Sequence, residues 1–357
     1  MNKAELIAVA NKFATGATIT EIAPNGNGHI NYTFLAQGGG KKFTLQKLNT
    51  SLFTEPDKLM QNIRLVTDYL RGTVEREAPD EKVLEIVQTQ SGRDYLADES
   101  GTYRMYKYID DSVCYEQVNS ADDFYSCAYA FGRFATYLDG FDATKLYEII
   151  PNFHNTVDRM RKFEASLDKD VCGRADGVKK EIDFFLSRKS VCSKITSLLD
   201  SGKMPMRVTH NDTKLNNILF SAKTGKPLAV VDLDTIMPGS VCYDFGDSIR
   251  FGCNTAAEDE PNTDLVGFST ELFEAYVKGY LKGFDKITAV EKDHLLWGAI
   301  LMTYECGMRF LTDYLDGDTY FHTSRNGQNL DRARTQMRMV EHMENKFELL
   351  SDIVNRA

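Results

Sequence analysis

The chain has 357 residues and is 42% hydrophobic, more than a single core normally absorbs, so two lobes are expected. Its net charge of −10 comes without any Lys/Arg-rich run, which argues against a nucleic-acid or anionic-membrane surface and leaves small molecules as the expected partners. Seven cysteines form an odd set with no C-x-x-C pair, so neither a disulfide framework nor a structural zinc site is suggested, and reduced thiols in a cytoplasmic protein are the simplest account. The first residues offer no signal core, and no apolar run reaches the ~18 residues of a membrane span.

Leu6, Val9, Ala10 and Phe13 keep helical spacing, so the chain opens on a short amphipathic helix. Ile19 to Ala23 and Asn31 to Leu35 read as strands joined by Pro24-Asn25-Gly26-Asn27-Gly28-His29. A dinucleotide fingerprint must open a helix after its glycines, and this one opens a strand. A hairpin tip bearing Gly26 and Gly28 can instead lie over nucleotide phosphates with its N–H groups unobstructed, although such tips are most often plain turns. Lys41 to Leu48 is the next strand. A helix follows, with Pro56 in its first turn and Leu59, Ile63, Val66 and Leu70 on one stripe. Val83 to Val87 and Arg104 to Ile109 are further strands. Backbone at Tyr106 and Tyr108 either meets an adenine edge or belongs to an ordinary buried strand, and both readings stand. Beyond residue 120 the pattern is mostly helical.

The most informative stretch is Thr209-His210-Asn211-Asp212-Thr213-Lys214-Leu215-Asn216-Asn217. Two apolar runs follow it, joined by turn formers and ending in Asp232-Leu233-Asp234, as in a β-hairpin. A phosphoryl transferase needs a carboxylate to take the proton of an attacking hydroxyl, and an Asn with a second Asp to hold Mg²⁺ against nucleotide phosphates. His-x-Asp, then four residues and Asn, is the protein-kinase catalytic-loop pattern. Asp212 is therefore the candidate base, with Asn217 and Asp232 as candidate Mg²⁺ ligands. Asp244-Phe245-Gly246 comes too late to be the magnesium motif and is expected to brace the loop through Asp244. His210 is expected to brace as well, and an exposed turn histidine is the sequence-only reading of His29. Arg309, in an apolar helical stretch, is either paired with Glu305 or Asp313 or aimed into a cleft.

Those residues give the chain a resemblance to the aminoglycoside phosphotransferase and choline-kinase superfamily. Thr209–Ile218, Val231–Gly239, Asp244–Gly252 and Glu305–Phe310 closely resemble bacterial N-acetylhexosamine 1-kinases, as do Gly28-His29-Ile30-Asn31 and Leu48-Asn49-Thr50. The resemblance implies an α+β, protein-kinase-like two-lobed fold. A small antiparallel-sheet lobe over residues 1–108 would carry the Gly hairpin, and a large, mostly helical lobe over 109–357 would carry the catalytic loop and sugar pocket. It implies transfer of the ATP γ-phosphoryl group to the anomeric hydroxyl of N-acetylglucosamine or N-acetylgalactosamine, giving the α-1-phosphate. Asp212 would be the base, Asn217 and Asp232 would hold Mg²⁺, and His29, Asp212, Phe251, Arg309 and Tyr320 would meet the sugar. A monomer is expected. Gln46 stands where many members place a phosphate-binding Lys, and the following helix lacks its usual Glu partner, which leaves a catalytically silent sensor as an alternative. Kinases of choline, homoserine or aminoglycosides are another.

Overall fold

Alternation along Lys41–Lys47 decides which side of the first sheet becomes core: Phe43 and Leu45 are buried on one face, while Thr44 and Gln46 take the other. The structure, a computed structural model, describes residues 2–26, 30–118 and 120–357. Contacts divide the chain into two compact units, the first made of Met1–Val113, Lys145–Ile150 and Leu219–Ile236. The expected single break after residue 108 is thus replaced by a discontinuous division, because two later segments fold with the N-terminal sheet.

The first unit begins with α1 (Lys3–Ala10), then β1 (Glu21–Pro24), β2 (Tyr32–Gly38) and β3 (Lys41–Lys47). Next come α2 (Pro56–Glu77), β4 (Ile86–Val87), β5 (Leu96–Asp98), β6 (Gly101–Lys107) and β7 (Ser112–Cys114). The main sheet runs β1-β2-β3-β6-β4, all antiparallel, with β5 hairpinned onto β6. Leu6, Val9, Phe13, Ala36, Phe43, Leu45, Tyr103 and Met105 form its core against α1. α2 starts with Pro56 in its first turn and buries Leu59, Ile63, Val66 and Leu70. Asn62, on the same helix, is fully buried.

The second unit comprises Cys114–Thr144, Pro151–Ile218 and Met237–Ala357. It contains α3 (Ala121–Tyr137), α4 (Thr156–Lys169), α5 (Lys179–Ser187), α6 (Thr196–Asp200) and β8 (Arg207–Thr209). The β9 (Ile218–Ser221) and β10 (Pro227–Val230) hairpin, which belongs from Leu219 onward to the first unit, pairs with β7. After it come β11 (Met237–Gly239), α7 (Val241–Gly252), α8 (Thr270–Gly283), α9 (Ala289–Leu315), α10 (Gln328–Asn345) and α11 (Phe347–Arg356). α7 lies directly on α9 because both lack side chains at the crossing: a Cβ on Gly246 would stand 2.3 Å from the Gly298 carbonyl oxygen. Phe245 meanwhile packs its ring against Phe273, Tyr276 and Tyr280 of α8. Among the described residues no helix is long and apolar enough to cross a membrane.

Candidate active site

β8 pairs with β11 and delivers the chain at His210. Asn211 takes a left-handed backbone, φ 64°, which an Asn side chain tolerates better than a branched one. Asp244, in the first turn of α7, accepts the N–H groups of His210 at 2.8 Å and Asn211 at 2.7 Å. Burial pushes its carboxyl up to about 6 against the opposing pull of His210 and those two N–H groups. Asp247 accepts the Thr213 N–H at 3.2 Å, and Ser248 donates to the Thr213 carbonyl at 2.5 Å. α7 therefore fixes the loop from below, the bracing role expected of Asp244. His210 is fully buried with Phe131 and Phe134 edge-on to it, and its Nδ1 accepts the Asp212 N–H at 3.3 Å. It braces too.

This scaffold leaves the Asp212 side chain 28% exposed, with two partners on its carboxylate. Lys214 Nζ lies 2.7 Å from Oδ1, and Asn217 donates to Oδ2 at 3.0 Å and to the Asp212 carbonyl at 2.7 Å. Burial works against its charge, but Lys214, with smaller help from His210 and Asn217, holds the carboxyl below its ordinary range. Because the Asn217 amide nitrogen is spent on Asp212, its oxygen is the atom left for a cation.

Arg309, on α9, pairs with neither expected carboxylate. Glu305 is taken by His154 at 3.2 Å and Thr156 at 2.7 Å. Asp313 accepts the N–H groups of Thr319, Tyr320 and Phe321. Among the described residues no acid lies within ion-pair reach of Arg309, whose guanidinium instead sits 5.4 Å from the Phe321 ring centre and 5.9 Å from those of Phe153 and Tyr320. Arg309 and Tyr320 are thus brought together. Phe251 lines a cavity of about 470 Å³ with Gln117, Arg250, Asn254, Glu258 and Gln336, within the usual range for small-molecule sites. Arg250 there is neutralised by Asp247 at 3.1 Å and Glu258 at 2.9 Å.

The first unit holds the other candidates. Asp232 is exposed on a left-handed turn, φ 59°, ψ 60°, while Asp234 is buried, ion-paired to Arg104 and accepting the Asn31 amide at 2.5 Å. Burial opposes the charge of Arg104, and Asp234 outweighs it with smaller help from Tyr106 and Asp232. Gln46 joins the same cluster, accepting from Arg104 Nε at 2.9 Å and donating to Thr33 at 3.0 Å. Asn62 stands in for the missing helix acid by donating to the carbonyls of Tyr147 at 2.8 Å and Ile236 at 3.0 Å. Of the two residues considered for an adenine edge, Tyr106 sits in β6 between β3 and β4, and Tyr108, just past β6, donates its N–H to the Lys42 carbonyl at 3.3 Å. Gly26 holds φ 83° with open space where a Cβ would be, so the turn itself requires glycine. Gly28 and His29 lie outside the described residues.

Residues 21–289, well over half the chain, match the phosphotransferase enzyme family. The chain belongs to that family. Solved kinase structures have the same fold over nearly all of this phosphotransferase. A spectinomycin phosphotransferase in complex with ADP and spectinomycin matches at TM-score 0.59 and 10% identity, over 96% of this chain and 99% of its own. A microcompartment-associated aminopropanol kinase matches at 0.59 and 14%, over 98% of each chain. An ethanolamine kinase of Plasmodium vivax matches at 0.57 and 13%, over 91% of this chain and 84% of its own. The fold is protein-kinase-like, with an antiparallel-sheet N-terminal part and a helical C-terminal part.

Two residues of this phosphotransferase, one in each unit, contact candidate residues in a way that the sequence pattern did not give. Lys214 lies inside the catalytic stretch, yet a Lys two residues after an Asp is unremarkable until the turn at Leu215–Asn217 folds it back. Arg104 did leave a signal, a cation set between the aromatic Tyr103 and the apolar Met105 of β6. Its partner lies 130 residues away in sequence, Asp234 against Arg104, beyond the reach of local pattern.

Proposed function

We propose that this phosphotransferase is an ATP-dependent N-acetylhexosamine 1-kinase. Asp212 accepts the proton of the anomeric hydroxyl, and Lys214 and Asn217 hold it ionised for that task. Asn217 and Asp232 offer only oxygen to a metal, the donor chemistry that suits Mg²⁺, which is typically held by one or two carboxylates together with substrate phosphates. When bound, Mg²⁺ neutralises charge on the phosphates. Asp232 is exposed on its turn, whereas Asp234 is buried and bound to Arg104 and Asn31.

The observation that carries the acceptor class is Arg309. A guanidinium ringed by Phe153, Tyr320 and Phe321, with no acid in ion-pair reach among the described residues, repels the ammonium groups of aminoglycoside, choline or ethanolamine-type acceptors. It favours a neutral, hydroxyl-rich acceptor, and the aromatic rings suit a sugar's apolar face. Phe251 and the neutralised Arg250 line a cavity with polar and apolar surface and no unpaired cation from Arg250. The sensor alternative rested on the missing phosphate-binding Lys and its helix acid; the presence of Asp212, Asn217 and Asp232 together supports an active enzyme. The test is ADP release over a panel of N-acetylglucosamine, N-acetylgalactosamine, glucose, choline, homoserine and an aminoglycoside. Turnover confined to the N-acetylated sugars is expected, and turnover with choline or the aminoglycoside alone defeats the proposal.

A further inference from the structure

On the face of the first sheet opposite its core, β3 and β6 place Gln46 and Arg104 directly opposite one another. Arg104 is 1% exposed, and a buried guanidinium persists only where its charge is met. Its Nε goes to Gln46 and its Nη1 to Asp234. The second Asp234 oxygen accepts the Asn31 amide, and Asn31 in turn accepts the Asn49 N–H at 2.9 Å. Two groups, the Arg104 guanidinium and the Asn31 amide, thus meet on one buried carboxylate, each held in turn by a further partner, Gln46 or the Asn49 N–H, and that carboxylate lies two residues beyond Asp232. Asp232 itself occupies a left-handed conformation that costs a non-glycine residue energy and persists only where its surroundings impose it. The Asn62 bond to the Ile236 carbonyl fixes the far end of the same turn.

We infer that Arg104 is a positioning residue, holding Asp234 so that Asp232 is presented to the metal, and that its charge is spent on that carboxylate and not on nucleotide phosphate. The inference rests on Asp232 being a metal ligand. It also accounts for Gln46: a second cation beside Arg104 would leave the cluster with one positive charge too many, so a neutral amide that accepts from one neighbour and donates to Thr33 is the residue that fits.

The experiment measures metal binding directly, by Mn²⁺ electron paramagnetic resonance titration of the full chain with ADP, beside ADP binding in excess EDTA. Asp234→Asn keeps the hydrogen-bond acceptor and removes the charge; Arg104→Met with Asp234→Leu removes both charges together, which a buried site tolerates better than one alone. Both variants are expected to bind Mn²⁺ roughly 10–100-fold more weakly, the usual cost of losing a residue that orients a metal ligand, with metal-free ADP affinity unchanged. Unchanged Mn²⁺ affinity in the folded double variant overturns the inference, and so does a fall in metal-free ADP affinity, which would put Arg104 on phosphate. Asp232→Asn separates the two levels: if it leaves Mn²⁺ binding intact, the metal-ligand reading itself fails; if it weakens binding while the Asp234 variants do not, only the positioning role fails.

Discussion

A lysine 2.7 Å from the proposed base makes Asp212 easier to ionise and weaker as a proton acceptor. A phosphoryl transfer through a loose transition state tolerates that, because the hydroxyl loses its proton late and positioning matters more than basicity. Asp212→Asn is therefore expected to lower kcat by roughly 10²–10⁴-fold with ATP and sugar affinity retained, as calorimetry beside steady-state rates would show; retained kcat would remove Asp212 from the chemistry. The sign of the pH dependence follows from the lowered carboxyl. The ionised base survives as pH falls, so the acidic limb of kcat lies below the ordinary carboxylate range. Lys214→Met removes the main lowering influence and leaves burial opposing the charge, so the limb moves to higher pH. A kcat–pH profile of the two proteins decides it. Arg309→Ala tests the acceptor side: the sugar KM is expected to rise about 10–100-fold, the scale of a charge-assisted hydrogen bond, while the ATP KM and the melting temperature stay put. Loss of stability with an unmoved sugar KM would make Arg309 a packing residue.

At the level of elements, α7 is the part on which the catalytic loop depends, since Asp244, Asp247 and Ser248 all project from it. Its position against α9 is set by backbone contact at Gly246, where a Cβ would meet the Gly298 carbonyl at 2.3 Å. A backbone oxygen cannot swing aside, so Gly246→Ala is expected to destabilise by about 1–3 kcal/mol, measurable by denaturant unfolding, and to lower kcat as the loop loses its brace. Much of this level was legible in the sequence. The stripe Leu59, Ile63, Val66 and Leu70 marked α2, and the paired apolar runs marked β9 and β10. β5, β7, β8 and β11 were not legible: each has three residues, too few for an alternation to register, and their strand character comes from partners distant in the chain. Val83–Val87 shortens to Ile86–Val87 for the same reason, since only those two residues find register against Tyr106 and Met105. At the site, the spacing of Asp212 and Asn217 could be read, but the place of Lys214 and the bond from the Tyr108 N–H to the Lys42 carbonyl could not, because both are decided by how the chain folds back beside them.

For the molecule as a whole, the proposed reaction makes a definite claim about which hydroxyl is phosphorylated. The anomeric hydroxyl of an N-acetylhexosamine is its most acidic one, because the ring oxygen withdraws electron density from the same carbon. Asp212, weakened as a base by Lys214, is matched to that hydroxyl and poorly matched to the primary hydroxyl at C6, which holds its proton more tightly. Selection also needs geometry: in the proposed reaction Arg309 and Tyr320, which lie close together, would hold the far side of the ring, and fixing the reacting oxygen in line with phosphorus is worth several kcal/mol, on the order of what well-oriented intramolecular reactions gain. The expected product is thus the α-1-phosphate. A phosphorus NMR spectrum of a reaction with N-acetylglucosamine, ATP and Mg²⁺ should show the new resonance coupled to the single anomeric proton, and the proton spectrum should show the small H1–H2 coupling of the α configuration. A resonance coupled to the two C6 protons would mean that the ring lies the other way round, and that the acidity match at Asp212 does not choose the nucleophile.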